Sequence, residues 1–297
     1  MANSREYLMI WDSTMANPNG DMLNDNQPRH DNKTGKLEVS DVRIKRFIRD
    51  ELQAKGHKIL VRTVSGDNGK ILSCANLIQN IAKEAKLKDV EIPKHLLTNY
   101  IDVRLFGAVI TKPKHDITGA LQVTWSRSVH KADVKFMQGN AAYASTDANA
   151  ATGSKEQASI WSKYITPYAL FKTYAVFNSE VAKKQDVDVT EDDLKAFVNA
   201  FIYGLINYRS TSKNQMPRLL VEVVYKEHRV DGEFNYVDVS YDCDDLDLRD
   251  ISQFSFDLKR LKEYYESKKD VIENVNLYKH NSVKLDSIPA GFHVIDI

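Results

Sequence analysis

The feature that most restricts the fold is an unbroken apolar stripe along residues 191–208. Leu194, Phe197, Val198, Phe201, Ile202, Leu205 and Ile206 recur at helical spacing. Thr190 and Asp193 mark its start in the manner of a capping box, with Asp where Glu is usual. A helix with this much apolar surface has to be buried against another layer. The segment that follows, PRLLVEVVYK at 217–226, reads as a strand.

The remaining elements are read against this pair. Residues 5–11, REYLMIW, form a buried strand, and the Asn-, Asp- and Gly-rich residues 12–40 read as one long loop. Ser40 caps a helix over 41–55 whose apolar face is Ile44, Phe47, Ile48 and Leu52. Ile59–Val64 reads as a strand and 73–86 as a helix; 103–110 is apolar around Gly107. Residues 119–129 alternate, with Leu121, Val123 and Trp125 on one side. Residues 139–158 are small, polar and aperiodic, a flexible excursion. A strand resumes at 165–178; a helix near 258–268 and a short strand near 275–279 follow the acidic segment. With 56–118 and 130–164 set aside as insertions, the order is βαββαβ. The expected fold class is therefore α+β, of the ferredoxin-like or RNA-recognition-motif plan.

At 297 residues the chain is long enough for a substantial core. Cys74 and Cys243 are too few and too far apart for a disulfide scaffold, which fits a reducing cytoplasm. No apolar run is long enough for a membrane helix, so no membrane partner is expected. The net charge of zero hides two opposed segments. Residues 33–62 hold nine Lys/Arg against four Asp/Glu, and residues 231–250 hold eight Asp/Glu against one Arg. The basic segment is suited to a polyanion.

Signatures of catalysis are scarce. There is no GxSxG, P-loop or GxGxxG, and none of the eight His sits at a metal-ligand spacing. His30 and His130 border expected flexible regions, where either has the chemistry of a general base. The loop acids Asp12, Asp21, Asp25 and Asp31 carry enough oxygen for a divalent cation but match no EF-hand pattern. They are equally ordinary turn residues. No catalytic residue, metal site or cofactor is assigned.

The first helix is more informative. Arg43, Lys45, Arg46 and Arg49 fall within seven residues with no intervening acid. Lys45 and Arg49 lie one turn apart, near the spacing of successive phosphates. Arg104, Arg127, Arg209 and Lys213 are further candidates for a polyanion. Lys131, Lys135, Phe136 and Met137 flank the flexible excursion; cations beside an aromatic and a Met can hold phosphates while wedging between bases.

The strings WDSTMANPNGD, NDNQPRHDNKTG, VSDVRIKRFIRDEL, DVRLFGAVIT, ITGALQVTWSRSV, ITPYALFKTYAVF and YRSTSKNQMPRLLVEVVYK occur in this order. Together they resemble the Cas-seven family of the RAMP superfamily, the repeated backbone subunit of type I CRISPR effector complexes. The likeness is to subtype I-B, with I-C close, and covers residues 5–228 in pieces. It implies a palm of RNA-recognition-motif type, with 56–118 as fingers, 129–163 as thumb and 229–297 as an acidic extension. It implies copies arranged head to tail along a guide RNA (crRNA), which then pairs with target DNA, in company with other Cascade subunits. On this basis Lys45 and Arg49, then Arg43 and Arg46, grip the guide backbone, and Phe136 and Met137 are the thumb wedges. The protein is expected to be a structural subunit without catalysis. A metal-dependent ribonuclease using Asp21, Asp25 or Asp31 is the alternative.

Overall fold

In the computed structural model, which describes residues 1–66, 69–144, 158–285 and 287–297, β1 (Arg5–Ala16) is the central strand. Its side chains serve two cores. Tyr7, Met9 and Trp11 enter one, and Leu8 and Ile10 enter the other. Successive strand residues point to opposite faces, so a strand covered on both sides reads as the continuous apolar run seen at 5–11.

Two short strands, β2 (Gly20–Asp21) and β3 (Gln27–Pro28), pair as a hairpin, and β4 (Lys36–Val39) leads into α1 (Asp41–Ala54). The segment that follows carries α2 (Cys74–Glu84), α3 (Ile92–Asn99), α4 (Ile101–Phe106) and the paired strands β5 (Gly107–Thr111) and β6 (Lys114–Thr118). Next come β7 (Leu121–Val123), β8 (Ser126–Lys131), β9 (Lys135–Ala144) and the 20-residue β10 (Ala158–Phe177). α5 (Ser179–Lys184), α6 (Glu191–Asn207) and β11 (Gln215–Tyr225) follow. The chain ends with β12 (Asp238–Ser240), β13 (Ser255–Asp257), α7 (Lys259–Ser267), β14 (Ile272–Lys279) and β15 (Phe292–Asp296).

The fold is mixed α+β around a sheet that, among the described residues, has nine strands. Its main path runs β15-β14-β11-β1-β10-β8-β4, with β7 and β9 also paired to β10. Every pairing is antiparallel except β14 with β15. One face is covered by α1 and α6, whose apolar stripes enter the core of Tyr7 and Trp11. The two helices meet closely at Gly204, where a Cβ would come within 2.8 Å of the Phe47 carbonyl. The opposite face is covered by Phe234, Phe254, Leu261 and their neighbours from the C-terminal segment. A separate small core, Leu60, Ile78, Leu96, Val103 and Ile117 among others, is built from the segment between α1 and β7. Among the described residues no helix is long and apolar enough to cross a membrane.

Several elements differ from expectation, each for a visible reason. Residues 12–40 are not one loop. β1 runs on to Ala16, and the hairpin and β4 follow, because Asn and Asp side chains supply the local hydrogen bonds. Ile59–Val64 is not a strand; the buried Asp102 carboxylate accepts from the backbone N–H of Leu60 and Val61, at 2.9 and 3.0 Å, where a strand neighbour would. Residues 103–110 are the end of a helix and the start of a strand, divided at Gly107 with φ +75°. The alternation at 119–129 breaks after Val123, so Trp125 is half exposed and Ser126, Ser128 and His130 turn inward. Residues 139–144 extend β9 rather than belonging to an excursion, and 145–157 lie outside the described residues. Within 229–297, β14 and β15 widen the sheet, and residues such as Phe234 and Leu248 enter the second core.

Candidate nucleic-acid interface

The four cations of α1 divide into two stripes with different fates. Ser40 caps the helix by accepting from the Arg43 N–H, and Ser40 is itself held by the Asn19 side chain at 2.8 and 2.9 Å. Lys45 bonds Asp41 at 3.0 Å, and Arg49 bonds the fully buried Asp102 at 3.0 Å. Both cations lie over the Phe106 ring, at 5.6 and 5.1 Å from its centroid. Their side chains are only 14% and 12% exposed, so this stripe faces α4 rather than solvent. Arg104 is committed in the same way, to both oxygens of Asp193 and to the carbonyls of Leu97 and Thr98. Arg46 is exposed and paired with Asp50 at 3.0 Å, and Arg127 is exposed and paired with Glu38 at 3.0 Å.

Arg43 lies on the other stripe. It packs over the Phe47 ring at 5.6 Å and has no ion pair among the described residues. Lys213 comes to it from the turn after α6. That turn is pinned on several sides. The Tyr208 hydroxyl donates to the Asp50 carbonyl, the Asn17 N–H donates to the Ser212 carbonyl, and Asn214 exchanges bonds with Thr14. The Lys213 ammonium donates to the Asn17 carbonyl. Burial and the nearby Arg43 charge push the Lys213 ammonium down to about 8, and burial lowers Arg43 as well. Two cations thus share a half-buried corner with no acid paired to either among the described residues. Arg43 Nε, Asn17 Oδ1, Gln215 Nε2 and Ser13 Oγ are buried without a hydrogen-bond partner among the described residues; Asn17 accepts from Lys213 through its carbonyl, and Gln215 is paired with Ser13 in the sheet. Arg209, exposed in the same turn, donates to the Gln215 carbonyl.

The hairpin of β9 and the start of β10 stands beside this corner. Lys163 donates to the Thr211 carbonyl at 3.4 Å and lies 5.5 Å from the Trp161 ring centroid. Pairing sets Lys163 opposite Met137 and Trp161 opposite Gly139, so these four share one face. The indole covers Gly139 so closely that a Cβ there would sit 2.6 Å from the ring. Phe136 pairs with Tyr164 on the reverse face, their rings 5.1 Å apart. Phe136 and Met137 are therefore on opposite faces, and only Met137 is on the side of Lys213. Sequence reasoning did not single out Trp161; its signal is the glycine set inside a strand, which makes room for a ring. Lys135 is exposed at the root of β9, and the exposed Lys131 packs its stem on Gly35.

Of the loop acids, Asp25 is exposed, while Asp21 and Asp31 make local bonds. Asp21 accepts from Leu23 and Asn24 in its own turn and pairs with Arg29 at 3.2 Å; Asp31 accepts from Lys33 and Thr34. Among the described residues no three His, Cys, Asp or Glu are placed to hold a metal. His130 is not beside a flexible region but is buried among Tyr168, Tyr241 and Phe254. Its Nε2 accepts from the Leu170 N–H, and burial lowers its pKa. His30 is exposed, its Nδ1 3.2 Å from the Pro28 carbonyl.

A curated protein from Haloferax volcanii, described as CRISPR-associated protein Cas7, is 24% identical over 96% of this chain and 89% of its own length. A chain of a solved "CRISPR RNA-guided surveillance complex, pre-nicking" superposes with a TM-score of 0.59 at 16% identity, covering 99% of this chain and 96% of that one. A chain of another "CRISPR RNA-guided surveillance complex" gives 0.55 at 16% identity, with 98% and 94% covered. The model of the family described as CRISPR-associated protein Cas7 matches residues 3–259. The chain belongs to the CRISPR-associated protein Cas7 family.

Proposed function

We propose that this protein is a non-enzymatic backbone subunit of a CRISPR effector complex, and that it holds the sugar-phosphate backbone of a guide RNA. The observation that carries this reading is the corner formed by Arg43 and Lys213. Two cations without a paired acid are costly to bury and become favourable when an anion arrives. A contact made through phosphate is blind to sequence, as a subunit that must accept any guide requires.

The surroundings support the same reading. Strands β11, β1, β10 and β7/β8 lie in that order with α1 and α6 on one face, the arrangement of an RNA-recognition-motif palm. Residues 56–118, with a core of their own, act as the fingers, and 129–163 as the thumb. The Met137–Trp161 face of that thumb offers a stacking surface within reach of a backbone held at Lys213. Residues 229–297 complete the palm's second face. Copies follow one another along the guide, and the exposed bases pair with target DNA while other subunits cap the assembly.

The test is to co-express the chain with a CRISPR array and sequence the nucleic acid that stays bound. The expected result is RNA of one guide length in a multi-copy particle. A nucleic-acid-free chain that also ignores added single-stranded RNA overturns the proposal.

A further inference from the structure

The β2–β3 hairpin presents two large apolar side chains to solvent, Met22 at 89% and Leu23 at 93% exposure. Such exposure on a floppy tip would mean little, but this tip is held from several sides. Asp21 accepts from the Leu23 N–H and the Asn24 side chain, and its backbone carbonyl accepts from Asn24 and Asn26. Asn17 donates to the Asn26 carbonyl, and Arg29 pairs with Asp21. Asp25 and Asn26 take the left-handed conformation that this tight turn needs. The chain thus spends a dense set of polar contacts on aiming two apolar groups outward. Asp21 and Asp25 beside them make the tip unsuited to a phosphate backbone, so its partner is protein.

A receiving surface exists on the same chain. Ile59, Leu60, Leu77, Ile81 and Tyr100 line a groove of about 510 Å³ together with polar residues, among them Arg62, Asn80 and Glu84. Arg62 is exposed, acts electrostatically on Tyr100, and has no ion pair among the described residues. The groove and the tip lie at opposite ends of α1. Asn19, at the base of the hairpin, holds Ser40 at the start of the helix, and Ile59 follows shortly after its end. A 14-residue helix separates them by about 21 Å. A tip on one end and a groove on the other cannot meet within one molecule. Between molecules they make a heterologous contact, which propagates instead of closing.

We propose that Met22 and Leu23 of one copy seat in the Ile59–Tyr100 groove of the next copy, with Asp25 against Arg62. The inference rests on the guide-RNA reading above and names the protein contact that sets successive copies in line.

The experiment uses the full chain with its two exposed thiols removed, Cys74→Ser and Cys243→Ser. Leu23→Cys and Ile81→Cys are added together, the protein is assembled on a long single-stranded RNA, and mild oxidation is followed by a denaturing gel. The expected result is a ladder of covalent dimers, trimers and higher species, absent from either single-cysteine variant. Multi-copy particles on RNA that yield only monomers overturn the inference and leave the guide reading intact. Dimers from Leu23→Cys alone also overturn it, since they place tip against tip. If no copies gather on RNA, the guide reading fails and this contact falls with it. A second measurement avoids cysteines: Asp25→Arg raises the concentration needed for assembly about tenfold, and adding Arg62→Asp restores it. Binding to an RNA long enough for only one copy is unchanged in both variants. Failure of the swap to restore assembly counts against the pairing.

Discussion

Two pairs of cations involve α1, Lys45 with Arg49 along the helix and Arg43 with Lys213 from the turn after α6, and they differ in what surrounds them. Lys45 and Arg49 have Asp41 and Asp102 to neutralise them and the Phe106 ring to lie on. Arg43 has the Phe47 ring and the charge of Asp50 nearby but no ion pair among the described residues, and Lys213 has the Asn17 carbonyl. The first pair is part of the fold's own wiring, tying α1 to α4 and to the chain around Leu60. The second is, on the function proposed above, the site for an anion. A run of basic residues therefore says where charge is dense. Which of those charges is available depends on where the acids of the folded chain come to rest.

The sharpest way to break this comparison is through Asp102. Its carboxylate holds Arg49 and two backbone N–H groups while fully buried. Asp102→Ala leaves all three unpaired and is expected to cost about 3–5 kcal/mol of stability in a urea titration. A loss under about 1 kcal/mol would remove the structural role assigned to the Lys45–Arg49 stripe.

The next effect concerns the thumb. Trp161→Ala is expected to weaken binding of single-stranded RNA by about 1–3 kcal/mol, the worth of one stacked base. Phe136→Ala, on the reverse face, leaves affinity nearly unchanged. Fluorescence anisotropy with a labelled RNA reads both, and equal losses would mean that the hairpin does not present one face to the guide.

The smallest effect is on stability and carries a definite sign. Lys213 has a folded-state pKa of about 8, below its ordinary 10.5. Between these values the unfolded chain holds a proton that the folded chain has released, so stability rises as pH climbs through that interval. Below pH 8 the full cost of burying the charge is present. Lys213→Met removes it and is expected to raise stability near neutral pH by on the order of 1 kcal/mol while flattening the rise at alkaline pH. Urea midpoints at about pH 7 and about pH 9.5 check this. A variant less stable than the parent at both would show that Lys213 is a structural anchor.

Much of the scaffold was legible because its signals are local. Ser40 caps α1 and Thr190 with Asp193 boxes α6 as their spacing demands, and both helices bury the stripes that the sequence displays. What the sequence leaves hidden shares a cause. Asp102 is 53 residues from Arg49, and Asp193 is 89 from Arg104, so nothing near those arginines reveals that they are occupied. The same Asp102 replaces a strand partner at Leu60 and Val61. Trp125 is turned outward by a break in the strand that Thr124 stabilises through two bonds to the Tyr174 backbone. The Arg43–Lys213 corner joins residues from opposite sides of the chain, and only the folded turn at 208–214 brings them together. Trp161 was hidden because a lone aromatic beside a low-complexity stretch carries no periodic signal.

The central claim is that the uncompensated pair, not the paired stripe, holds nucleic acid. It is tested most directly by the salt dependence of binding to single-stranded RNA for the parent, Arg43→Gln/Lys213→Met and Lys45→Gln. Each phosphate contact contributes about 0.7 to the slope of log affinity against log salt. The double variant is predicted to lose about 1.4 from that slope equally for unrelated sequences, and Lys45→Gln to keep the parent's value. An unchanged slope in the double variant, with a reduced one in Lys45→Gln, would contradict the account.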